Sequence, residues 1–198
     1  IHYYGIMLYK GERVPVDVEE SLKYFKMAID KGNAKAMHNY GMLFFNGDKV
    51  PKDIQKAIKY LKLASDSGYL DATKILAHIL YYGYGVEVNK NEAFKFFKIA
   101  ADKGDKIFEF SCAYMLENGE GTSINTSEAF KYYKMSASQG YEESVYRYAA
   151  LIYKGEGDES DKEQLKEYLK TIDSNNNGSP MYIIGYILHY GDKVPVNK

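Results

Sequence analysis

Residues 91–104 read NEAFKFFKIAADKG, an amphipathic helix closed by a glycine. Nearly the same phrase stands at 127–140 as SEAFKYYKMSASQG, at 55–68 as QKAIKYLKLASDSG and at 19–32 as EESLKYFKMAIDKG. Successive copies start 36 residues apart. A fixed period of this size means a stack of identical supersecondary units, so it takes precedence over any local motif.

Two glycine columns keep the period. Gly11, Gly47, Gly83, Gly119, Gly155 and Gly191 form one; Gly32, Gly68, Gly104 and Gly140 form the other, with Asn176 in its fifth place. Glycine or asparagine just past an apolar segment closes a helix, because the residue there turns left-handed. Each unit therefore holds two helices and two stops. First helices are expected over roughly 1–10, 33–46, 69–82, 105–118, 141–154 and 179–190, and second helices over 17–31, 53–67, 89–103, 125–139 and 161–173. The second helices open on capping boxes at Asp17-x-x-Glu20, Asn89-x-x-Glu92, Asn125-x-x-Glu128 and Asp161-x-x-Gln164, with Asp53 alone in the same column. Pro15, Pro51 and Pro195 stand two residues before that column and block the preceding helix.

Packing columns carry the period as well. Gly5, Gly41, Ala77, Ala113, Ala149 and Gly185 are small in the first helix; Ala57, Ala93 and Ala129, then Ala28, Ala64, Ala100 and Ser136, are small in the second. Large residues such as Leu43, Ile79, Met115 and Leu151, or Tyr24, Tyr60, Phe96 and Tyr132, fill adjacent columns. Alternating sizes let antiparallel helices interlock, and a lone pair cannot bury its apolar face without neighbours. The fifth unit, with Ile172 in a small-residue column and the polar connector DSNNNGSP at 173–180, is the weakest copy. The expected fold is all-α: about eleven helices in 5.5 repeats of 36 residues, one solenoid domain over 1–198. Because the chain begins at Ile1 and breaks within a repeat at both ends, it reads as a piece of a longer protein.

The run Ala72…Ala77…Tyr81-Tyr82-Gly83-Tyr84-Gly85-Val86…Asn89…Glu92-Ala93…Phe96-Phe97…Ala100-Ala101…Gly104 resembles the Sel-one-like repeats (SLR), relatives of the tetratricopeptide repeats. Gly119-Glu120-Gly121 and Gly155-Glu156-Gly157 repeat its Gly-x-Gly element, whereas Arg13, Lys49 and Lys193 replace the second glycine. The resemblance covers essentially the whole chain. It implies a right-handed α-solenoid acting as an adaptor or scaffold, in a family whose members serve in signalling and in endoplasmic-reticulum quality control.

Composition narrows the function classes. The 198 residues carry a formal net charge of −1, against the basic excess of a dedicated nucleic-acid binder. No run of about 18 apolar residues occurs, so no membrane-spanning helix is expected. Neither a phosphate loop nor a dinucleotide fingerprint is present, so no cofactor is expected. The four histidines, His2, His38, His78 and His189, and the one cysteine, Cys112, make no metal set. His2 and His38 share a column and read as solvated or groove-lining residues, and Cys112 reads as a buried structural thiol. No catalytic constellation is found. Asn125-Thr-Ser127 and Asn177-Gly-Ser179 match the glycosylation sequon, the first better explained as a helix cap.

Two surfaces remain. The first helices of such a stack line an inner face, so columns not needed for packing are candidate partner contacts: His38, Lys74, Phe110, Tyr146 and Tyr182; Met42, His78, Tyr114 and Tyr186; and Asn46, Tyr82 and Asn118. Aromatic bodies with polar tips suit peptide or protein recognition. The alternative is a lysine ladder, Lys26, Lys62, Lys98, Lys134 and Lys170 with Lys23, Lys59, Lys95 and Lys131 one turn earlier, which could track nucleic-acid or acidic-lipid phosphates. Its bland reading is a solvated outer face with aliphatic stems over tyrosines. The apolar ends, IHYYGIMLYKG and MYIIGYILHYG, further suggest end-to-end self-association.

Overall fold

The computed structural model describes residues 1–173, with side chains to Tyr168. Ten helices are described: α1 His2–Lys10, α2 Val18–Asp30, α3 Ala34–Asn46, α4 Ile54–Asp66, α5 Leu70–Tyr82, α6 Lys90–Ala101, α7 Lys106–Asn118, α8 Thr126–Ser138, α9 Glu142–Tyr153 and α10 Glu159–Asp173. Among these residues there are no strands. The helix expected at 179–190, with Tyr182, Tyr186 and His189, lies outside the described residues.

The caps explain the boundaries. Asp17, Asp53, Asn89 and Asn125 accept from the backbone N–H three residues on, at 2.9, 2.9, 3.0 and 3.1 Å. Each such bond satisfies a donor the first helical turn leaves orphaned, worth ~1 kcal/mol. Gly11, Gly47, Gly83 and Gly119 close the first helices with φ between 68 and 81°. The fifth copy corrects the expected cap. Asp158 takes the place of Asp161 as the cap, accepting from Asp161 N at 3.0 Å, and α10 starts three residues earlier than the column predicts. Asp161 accepts in return from Asp158 N at 2.9 Å through Oδ2 and keeps Oδ1 for tertiary contacts. Of the three substituted glycines Lys193 lies outside the described residues, and the other two part ways: Arg13 adopts φ 66° and keeps the left-handed turn that Gly85, Gly121 and Gly157 make, whereas Lys49 has no positive φ.

The described residues fall into two compact units, the first 1–96 and the second from 97 onward. In the first, α1 packs on α2, α2 on α3, α3 on α4 and α4 on α5. Its core joins Phe25, Ala28, Ala36, Tyr40, Phe44 and Ala57 to a second cluster of Met37, Leu61, Ala64, Ala72, Leu76 and Ile79. The small column does what its size allows. A Cβ on Gly41 would lie 3.0 Å from Ala57 O and 3.1 Å from Leu61 Cγ, so α3 and α4 touch through backbone. Likewise Ser21 Oγ donates to Gly5 O at 2.7 Å between α2 and α1. In the second unit α7 packs on α8, α8 on α9 and α9 on α10. Phe108, Cys112, Ala113, Met115, Leu116, Tyr133, Tyr148 and Leu151 are buried there. Burial raises the Cys112 thiol to about 12, as befits an inert structural cysteine.

Candidate partner-binding face and the lysine column

In the first unit α1 and α3, both first helices, are joined by contacts about a repeat apart. Asn39 Nδ2 meets His2 Nε2 at 2.9 Å, and Lys49 Nζ donates to Tyr9 O at 2.7 Å. Between them opens a cleft of about 310 Å³ walled by Ile6, Tyr9, Phe25, Met42 and Leu43, with Lys10, Asn39 and Asn46 as polar groups. Of the expected residues, Met42 and Asn46 line it. His38 does not: its ring lies 5.0 Å from that of Tyr69, and its Nδ1 is buried with no hydrogen-bond partner among the described residues. His2 is buried rather than solvated. Burial, with the nearby Lys35 and the N-terminal amine, holds its pKa below the ordinary histidine value; burial lowers His38 and His78 too. At the C-terminal end of α5, His78 stacks on Tyr82 at 6.1 Å, and Tyr82 also meets Tyr81 at 4.9 Å and Tyr84 at 5.4 Å. Tyr82 is 57% exposed, and Lys74 is half-buried one turn before His78.

In the second unit the expected residues form a separate aromatic group. Phe110 stacks on Tyr114 at 6.4 Å and meets Tyr133 and Tyr141 at 5.7 and 5.2 Å. The Arg147 guanidinium lies over the Tyr114 ring at 5.6 Å and pairs with Glu117 at 3.5 Å. Tyr146 donates to Glu142, while Asn118 is exposed but spends its amide on Tyr114 O at 2.8 Å. The wall residues that sequence reasoning missed, Tyr9, Phe25, Asn39 and Leu43, had one usable signal: Asn39, Met42, Leu43 and Asn46 follow the i, i+3, i+4, i+7 stripe of one helix face.

The lysine column proves to be part of the repeat-to-repeat contact. Lys62 Nζ donates to Glu92 at 2.5 Å and Lys98 Nζ to Glu128 at 2.7 Å, each acid lying 30 residues on. Lys134 takes Asp161 at 2.5 Å. Lys98 also donates to Tyr132 OH at 2.7 Å, which donates in turn to Asp102 at 2.5 Å. Burial opposes the Lys98 ammonium, but the bonds to Glu128 and Tyr132 raise its pKa above the ordinary lysine value. Lys62, Lys98 and Lys134 are thus paired rungs on a face that stays open to solvent, and Lys98 lies 4.9 Å over the Tyr132 ring. At Lys26 the residue 30 on is Lys56, which instead sits 3.7 Å over the Phe44 ring.

Among the described residues no helix is long and apolar enough to cross a membrane, and no cluster of His, Cys, Asp or Glu could hold a metal ion. The fold is a series of antiparallel helix pairs on a 36-residue period, which defines a helical-repeat protein. The Sel1 repeat family matches residues 1–33, 34–69, 71–105, 109–141 and 181–198, and the chain belongs to that family of protein-interaction scaffolds, which are generally non-enzymatic. The unmatched stretch includes most of the copy read as weakest. Among solved structures, the chain is similar to a protective antigen of uropathogenic Escherichia coli strains displaying an SLR fold, with 23% identity and TM-score 0.78 over 96% of this chain and 41% of that one. It is also similar to a Sel1 repeat protein from Oxalobacter formigenes, with 24% identity and TM-score 0.72 over 98% of this chain and 81% of that one. Both likenesses bear out the SLR α-solenoid fold. This chain therefore spans less than half the length of the first. No curated protein matches it.

Proposed function

We propose that the chain is a non-enzymatic interaction domain that holds a peptide or protein partner on its first helices. The cleft between α1 and α3 carries this reading. Its apolar floor of Ile6, Phe25, Met42 and Leu43 can take a partner side chain, and Lys10, Asn39 and Asn46 offer polar contacts at its walls. The exposed Tyr82 group in the same unit and the Phe110, Tyr114 and Tyr146 group in the other supply further aromatic area. The nucleic-acid or acidic-lipid alternative draws less support, because Lys62, Lys98 and Lys134 already face acids.

The test is affinity capture from the source cell, comparing the natural chain with a variant carrying Met42→Ala, Asn46→Ala, Tyr82→Ala and Tyr114→Ala, of matched helicity. A protein captured by the first and lost from the second supports the reading. Unchanged capture, or recovery of nucleic acid alone with steep salt dependence, refutes it. End-to-end contact between copies is supported by the exposure of Ile1, Tyr3 and Tyr4. It predicts light scattering that rises with concentration in the natural chain and not with Tyr3→Glu.

A further inference from the structure

The second helices carry an apolar column that packing does not require. Met27, Leu63, Ile99 and Met135 recur every 36 residues, yet they are 48, 40, 45 and 42% exposed. A position left that open tolerates a polar residue, and the fifth copy has Thr171 there, so apolar residues at the other four sites point to a surface that is covered in use. In the first unit each is flanked on its own helix by opposite charges: Lys23 and Asp30 around Met27, Lys59 and Asp66 around Leu63. In the second unit the same face is hollow, with a cleft of about 410 Å³ lined by Asp102, Glu128, Lys131, Tyr132 and Met135 among others.

We infer that the second-helix face of the first unit, at Met27 and Leu63, binds the same face of a second copy of the chain. The charge order decides the occupant. The lysine lies four residues before the apolar position, about 6 Å along the axis, and the aspartate three residues after it, about 4.5 Å the other way. A two-fold axis through the apolar column reverses one copy, so that each lysine meets the aspartate of its mate and the apolar residues meet each other. Competition for these charges is weak. Asp30 and Asp66 are exposed, and Lys23 makes only exposed pairs with Glu19 and Glu20 at 3.5 and 3.2 Å.

Sedimentation velocity from low micromolar to near-millimolar concentration reads the association. The natural chain should dimerise. A chain with Lys23→Glu and Lys59→Glu, and another with Asp30→Lys and Asp66→Lys, should each associate at least about tenfold more weakly, because like charges then face each other. An equimolar mixture of the two should recover the dimer, which a folding defect could not produce. Leu63→Glu should abolish it in either background. A natural chain that stays monomeric throughout overturns the inference, including the case where Leu63 serves a different protein. So does a dimer indifferent to the charge changes, as end-to-end contact through Tyr3 would give, and so does a mixture that fails to recover.

Discussion

The two units are built from the same helix pair and spend their polar residues differently. Residues 1–96 carry 14 Lys and Arg against 11 Asp and Glu, whereas residues 97–198 carry 12 against 16. The first helices sharpen the contrast. Lys10, Lys35 and Lys74 stand against Asp71 alone in α1, α3 and α5, while Glu109, Glu117, Glu142 and Glu143 outnumber Lys106 and Arg147 in α7 and α9. The interiors differ too. The column that holds Met37 and Thr73 in the first unit holds Glu109 in the second, 1% exposed and bonded by Gln139 Nε2 at 2.8 Å. The repeat fixes sizes at packing positions and leaves charge free. Partner preference can therefore diverge between copies without loss of fold.

Four experiments would break or sharpen that contrast. The largest effect is expected at Asp161, which accepts from Tyr148 OH at 2.7 Å and from Lys134. Asp161→Ala leaves a buried hydroxyl and a half-buried ammonium unpaired and should cost about 2 kcal/mol, confined to the second unit in hydrogen exchange. The bond from Lys134 leads in holding the Asp161 carboxyl down at about 2. Its stabilisation is thus full above the ordinary aspartate range and lost as pH falls toward 2.

Next is Gly41→Ala. Alanine is the better helix former by ~1 kcal/mol, but its methyl meets Ala57 O and Leu61 on α4. Chemical denaturation should show a net loss of roughly 1–2 kcal/mol in the first unit. In the second unit Ala113 fills the same column, and Ala113→Gly should cost about 1 kcal/mol for the opposite reason.

Third is Glu109→Gln. Burial raises the Glu109 carboxyl above the ordinary glutamate value, with Asp105 adding to the rise and the Gln139 bond opposing it. Because the folded state prefers the protonated form, the second unit should lose stability as pH rises through the ordinary glutamate range into the raised one. The amide removes that dependence and should add about 1 kcal/mol at neutral pH, read from thermal unfolding at several pH values. The smallest effect is at Arg13, whose φ of 66° strains a side chain. Arg13→Gly should stabilise the first unit by about 0.5 kcal/mol, and Gly121→Arg should cost the second a similar amount.

Much of this was legible in the residues. Caps at Asp17, Asp53, Asn89 and Asn125 and the glycine stops act through backbone groups within four residues, so their spacing suffices to place them. The small columns were legible because size is a property of the residue itself. The site was legible only in part. Of the expected residues Met42 and Asn46 line the α1–α3 cleft, whereas His38 packs on Tyr69, a residue of the next repeat that the column gave no reason to consider. The rungs Lys62–Glu92 and Lys98–Glu128 could have been seen in their shared separation of 30 residues. Nothing local marked Asp161 as a tertiary ligand rather than a cap.

The sequence by itself determined the period, the helix ends and the residues that had to be small. Tertiary structure alone decided that Lys134 pairs with Asp161, that His2 is buried against Asn39, that clefts open between α1 and α3 and beside Met135, and that the Met27 and Leu63 column faces outward. The physical reason is range. Helix formation is settled by hydrogen bonds four residues apart, whereas these features depend on the offset with which one helix pair settles on the next, and that offset is set by the whole packed interface.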